Sequence, residues 1–193
     1  MKKTKKIVAL ALAAVLLVCT SVAATLAYLQ DSTQVVNNTF TVGKVLIDLD
    51  EAEVDEYGEN ANGRTETGNE YKLVPGHTYI KDPTVYVKAG SEECYLFVEV
   101  VNGLVDIIDE KTIEDQMDEK GWVNLEGNIW YLDTTVDASE STTDISKVVF
   151  ENFKLKGDAD VADYATATIT IKAFAVQADG MTDAADAWTK AGF

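Results

Sequence analysis

The chain has 193 residues, of which 47% are hydrophobic, with 2 Pro and 12 Gly; this fits one domain with a useful core and excludes a collagen-like or low-complexity chain. Its formal net charge is −17, and the first 27 residues carry Lys2, Lys3, Lys5 and Lys6 without an acid, so a chain cut after Ala27 keeps all 33 acidic residues at a net charge of about −21. Such a field repels phosphates, which excludes nucleic acid as a partner and disfavours an anionic membrane surface.

Residues 1–6 are basic, residues 7–18 form an uninterrupted apolar run of 12, and Cys19, Thr20 and Ser21 dilute it. This pattern reads as a secretory signal helix. Thr25 and Ala27 supply the small side chains for a cut before Tyr28, the preferred position, while Val22 and Ala24 allow one before Thr25. The alternative is an uncleaved anchor, because residues 7–29 are 23 positions without a charge. Lipid attachment at Cys19 is disfavoured, since Val18 stands where a small residue is expected. A chain beginning at Tyr28 retains Cys94 alone, which excludes an intramolecular disulfide. Cys94 alternates with Leu96, Val98 and Val100, the pattern of a buried small side chain, with an intermolecular bridge as the alternative.

In residues 34–49, Phe40 and Val42 share a face that Val45, Ile47 and Leu49 continue if Gly43 bulges, giving a kinked strand. Residues 50–70 are acidic, rich in Gly and Asn and almost without apolar content, so they are expected to form an exposed loop or hairpin tip. Leu73-Val74-Pro75-Gly76 is a turn signal. A strand over 80–88 follows, in which Pro83 lacks a ladder donor and points to an edge position or an irregular start. Residues 94–101 are apolar on both faces, as in a central strand. Thr112, Asp115, the Ile113–Met117 spacing and Gly121 mark a short helix over 112–120. Strands are expected over 122–132, 147–155 and 165–178, and a final helical turn or two over 182–190 packs Trp188. The fold class is mainly β, an antiparallel β-sandwich with one or two short helices.

Thr25-Leu26-Ala27-Tyr28-Leu29-Gln30-Asp31, leading to Asn37-Asn38-Thr39-Phe40-Thr41-Val42-Gly43-Lys44-Val45, resembles the TasA/camelysin family. Leu73-Val74-Pro75-Gly76 with Lys81-Asp82-Pro83-Thr84-Val85, and Ala175-Val176-Gln177-Ala178-Asp179-Gly180 with Ala187-Trp188, resemble later segments of that family. Residues 106–144 match nothing in its pattern. The resemblance implies a precursor cut by a dedicated ER-type signal peptidase and a jelly-roll sandwich located in the extracellular matrix or at the cell surface. It further implies biofilm matrix fibres, built when the new N-terminal segment of one subunit completes the sheet of its neighbour. Partners would be other copies of this chain or other matrix and surface proteins. The layout is then a signal over 1–27, a possible donor strand within 28–43 and a sandwich over 44–193. Residues 28–38 are the candidate donor, with Leu29 and Val35 on one face and Tyr28 and Val36 on the other. The same segment could instead fray or pair within its own domain.

Camelysin itself is regarded as a metalloprotease, yet His77 is the only histidine, and a catalytic zinc ordinarily takes three protein ligands plus water. His77 follows Pro75-Gly76 and is expected to be solvated. Neither a Gly-x-Ser-x-Gly elbow nor a Gly-rich phosphate loop is present, so no enzymatic activity and no cofactor are expected. Calcium candidates are Asp158, Asp160 and Asp163, or Asp48, Asp50 and Glu53. Neither run has the Gly and terminal Glu of an EF-hand loop, and solvated loop acids are the expectation. A monomeric extracellular binding or adhesion module is the alternative function, with residues 50–70 as its loop and Tyr57 as the one aromatic there.

Overall fold

The computed structural model describes residues 44–109 and 113–193. Along them run β1 (Ile47–Ala52), β2 (Arg64–Thr65), β3 (Thr78–Ile80), β4 (Thr84–Val87), β5 (Cys94–Asn102), helix α1 (Ile113–Glu119), β6 (Trp122–Glu126), β7 (Ile129–Leu132), β8 (Ile145–Val148), β9 (Asn152–Lys154), β10 (Ile169–Gln177) and helix α2 (Ala184–Ala191). Two antiparallel sheets, ordered β2-β1-β4-β8 and β10-β5-β7-β6, pack face to face, and β3 pairs with β9 in a separate ribbon. The fold is a mainly β sandwich.

Alternation explains which side chains meet. On β5, Cys94, Leu96, Val98 and Val100 enter the core between the sheets, together with Val85 and Val87 of β4. Phe97 points to the opposite face, where Ala184 and Ala187 of α2 cover it. β5 therefore sits inside its sheet with both faces covered, as its two-sided apolar pattern requires. Helix α2 begins where the Asp183 side chain accepts a hydrogen bond from Asp186 N at 2.8 Å, and it ends at Gly192 in the left-handed region. Its Trp188 ring lies 5.1 Å from Phe97 and 5.4 Å from Phe174. At the other end of the core Trp122 is fully buried, and its indole N–H donates to Val148 O at 2.9 Å.

Several expected boundaries move. Residues 34–43 of the kinked strand lie outside the described residues, and β1 continues through Ala52 into the stretch expected to be loop, burying Glu51 and Ala52. The remainder of that stretch is anchored as well. Ile80 N donates to Gly58 O at 2.9 Å, and Gly58, at φ +68°, lies so close to Tyr79 that a Cβ there would stand 2.8 Å from the Tyr79 Cβ. A glycine is needed on both counts. Pro83 marks an irregular start and not an edge, because β4 begins after it and runs between β1 and β8. The expected strand over 122–132 is a hairpin turning at Gly127, φ +52°, with a register shift between Asn124 and Glu126. The stretch 147–155 divides between two sheets because Val149 and Phe150, adjacent in sequence, are both buried, which a continuous strand with one buried face forbids. Strand β10 starts at Ile169, since a 3₁₀ turn occupies Ala162–Tyr164.

Cys94 is fully buried. Burial first, then the charges of Glu93 and Asp137, push its thiol up to about 11. At pH 8 the thiolate fraction is then on the order of one in a thousand. In a chain beginning at Tyr28, an aromatic disulfide reagent should label Cys94 roughly a hundredfold more slowly in buffer than in denaturant, and non-reducing gels should show monomer. Prompt labelling in buffer would place the thiol at the surface.

Candidate functional site

The two sheets leave a pair of strand edges on one side of the sandwich. Gly103 N donates to Thr168 O and Ala178 N to Glu93 O, so in the antiparallel β5–β10 ladder the even-numbered residues of β10 bond to β5. The N–H and C=O groups of Ile169, Ile171, Ala173, Ala175 and Gln177 therefore point away from β5, and among the described residues no strand is hydrogen-bonded to that edge, although β1 passes close by. The same reasoning applies to β1, where Lys88 N donates to Leu46 O and the even residues face β4. Ile47 and Leu49 turn their backbone groups outward, while β2 pairs with Glu51 and Ala52 only.

Between β1 and β10 opens a groove of about 900 Å³, whose apolar lining includes Leu49, Leu104, Phe153, Val161, Ile169 and Ile171. Its polar lining includes Glu51, Asn69, Tyr71 and Lys81. Lys81 and Glu51 form an ion pair at 2.5 Å, and each side chain is only 7% exposed. The second Glu51 oxygen accepts from Asn69 Nδ2 at 2.8 Å, and that amide also donates to Ala52 O at 2.8 Å. Asn69 Oδ1 accepts from Val54 N at 3.0 Å. The Tyr71 hydroxyl donates to Ile80 O at 3.0 Å, and burial, then the Glu51 charge, hold its pKa well above the ordinary phenol value.

One end of the groove is strapped. The Arg64 guanidinium of β2 reaches Asp50 at 2.6 Å and Asp82 at 2.9 Å. Burial works against its charge, but Asp82 and Asp50 outweigh this and keep the group protonated above its ordinary range. Asp82 also accepts from Ala52 N at 2.6 Å, which fixes the Lys81–Pro83 break beside the end of β1. Sequence reasoning missed Glu51, Asn69, Arg64 and Lys81. The available signal was slight, a lysine between Ile80 and Asp82-Pro83 at the start of the stretch expected to be strand.

The residues singled out from the sequence fall elsewhere. Thr25, Ala27, Tyr28, Leu29, Val35 and Val36 lie outside the described residues. Asp158, Asp160 and Asp163 are not drawn together: Asp158 and Asp163 are exposed, and Asp160 accepts from Ala162 N at 3.1 Å. Asp48 pairs with Lys88 and Asp50 with Arg64, whereas Glu53 is exposed. Among the described residues no three His, Cys, Asp or Glu side chains come together to hold a metal ion. His77 departs from the expected solvated position. It is half-buried, with Nε2 2.8 Å from Tyr57 O and its ring 4.7 Å from Tyr79, so it clamps the loop to the sandwich. No family model, curated protein or solved structure matches this chain.

Proposed function

We propose that the chain is an exported structural protein of the cell surface or extracellular matrix that assembles by strand donation. Residues 28–38 of one copy enter the groove between β1 and β10 of the next. The observation that carries this reading is the outer edge of β10, nine residues long, with its odd-numbered backbone groups directed outward and its first residues, Ile169 to Ile171, lining the groove. An added strand answers those groups, and its alternate side chains drop between the sheets. The donor segment has the length to cover this edge. A charge near −21 makes copies repel at neutral pH, so backbone pairing and apolar burial must supply the attraction. Export with removal of residues 1–27 controls assembly, because a segment still tethered by its signal reaches no neighbour's groove.

Electron microscopy and sedimentation of a chain beginning at Tyr28 and of one beginning at Thr39 test the reading. Fibres or large oligomers are expected from the first alone. If both stay monodisperse across acid pH and added calcium, strand donation is wrong.

A further inference from the structure

We propose that Lys81 selects the strand that enters the groove, by requiring an oxygen acceptor from its inward face, and that Asp31 and Thr33 are the residues that supply it. This rests on the strand-donation reading and adds a rule for which strand is accepted.

An ammonium carries three N–H groups and no acceptor. Among the described residues Lys81 Nζ has one hydrogen-bond partner, Glu51, although its side chain is only 7% exposed and lines the groove. The other polar groups of the floor are satisfied: Glu51 accepts from Lys81 and Asn69, Asn69 uses both of its amide hydrogens and its oxygen, and the Tyr71 hydroxyl donates to Ile80 O. Lys81 therefore asks for an oxygen. A second unanswered donor lies behind the groove wall, out of reach of solvent. Asn102 Oδ1 accepts from Leu104 N at 2.9 Å, which fixes the orientation of the amide and leaves its buried Nδ2 without a partner. Its neighbours Leu104 and Ile169 line the groove.

While the groove is open, water answers the Lys81 ammonium. A strand that fills it expels the water, and an apolar side chain over Lys81 leaves a buried cation with unmet hydrogen bonds. Alternation along residues 28–38 places Leu29, Asp31, Thr33 and Val35 on one face. That face offers two oxygen-bearing side chains between two apolar anchors, a match to a polar floor inside apolar walls. The middle of the donor is polar because the floor it covers is polar.

The first comparison changes only the donor, which leaves the acceptor's fold unaltered. Critical concentrations for assembly are measured by sedimentation for a chain beginning at Tyr28 and for two doubly substituted forms of it. Asp31→Leu/Thr33→Val removes every side-chain oxygen at these two positions while raising apolar content and β-propensity. Asp31→Asn/Thr33→Ser keeps an oxygen at each position. The first should raise the critical concentration by about tenfold or more, and the second by less than about threefold. Placing the first donor pair in a Glu51→Leu/Lys81→Met chain should reverse the order, so that the apolar donor assembles better than the native one. If Asp31→Leu/Thr33→Val assembles as well as the unsubstituted chain, selection by Lys81 is wrong while strand donation stands. Failure of the unsubstituted chain itself to assemble removes both.

Discussion

Ala173→Pro should abolish assembly and leave the folded domain intact, whereas Lys172→Pro, one residue earlier, should damage the fold itself. The difference follows from ladder parity. The N–H of Lys172 points to β5, where Glu99 is its register partner, so proline there removes a ladder bond and strands a carbonyl, at about 1–3 kcal/mol. The N–H of Ala173 points outward, and the β5–β10 ladder loses nothing when it is absent. Its side chain is already half-buried against the core, and the proline ring closes back onto its own nitrogen at the outer edge. An incoming strand then meets a missing donor and ring bulk at the middle of the edge it must pair with. Thermal melts by circular dichroism report the fold, and sedimentation reports assembly. Assembly of Ala173→Pro at the unsubstituted concentration would show that β10 is not the acceptor edge.

Local periodicity made some of this molecule legible. The run from Ala167 to Ala175 alternates cleanly and becomes the edge strand β10, the two-sided apolar run of β5 becomes a central strand, and the helical turns expected over 182–190 with Trp188 become α2. What failed was pattern reading across places where the chain changes sheet. Val149 and Phe150 continue an apolar run without a turn residue, yet that is where the chain leaves one sheet for the β3–β9 ribbon. The groove was illegible for a different reason: Leu49, Lys81, Phe153 and Ile169 are adjacent only after both sheets have formed. Composition also misled. Among 33 acidic residues any one reads as solvated, and Glu51 is distinguished only by Lys81, which the break before β4 brings to it across 30 positions. Likewise His77 reads as a turn residue, although its turn packs onto Tyr79.

The ion pair gives a second large effect with a built-in control. Lys81→Ala should destabilise the domain by about 3–5 kcal/mol, because Glu51 remains buried with its cation gone. The loss belongs to the stranded charge and is no measure of what the pair contributes. Glu51→Leu/Lys81→Met replaces both charges with apolar groups of similar volume and should recover most of the loss. Its remaining deficit is about 1 kcal/mol, since Asn69 forfeits one acceptor while keeping Ala52 O. Urea titrations with unchanged slopes would attribute the differences to stability and not to a different unfolded state. A cost below about 1 kcal/mol for Lys81→Ala would mean that water already reaches Glu51, as it does at an exposed pair. If instead the doubly apolar chain is as stable as the unsubstituted one, stability is no reason for the pair to be there. Its charge would then act on what enters the groove, since a wall of Leu and Met accepts any apolar strand, and one holding an unsatisfied ammonium does not.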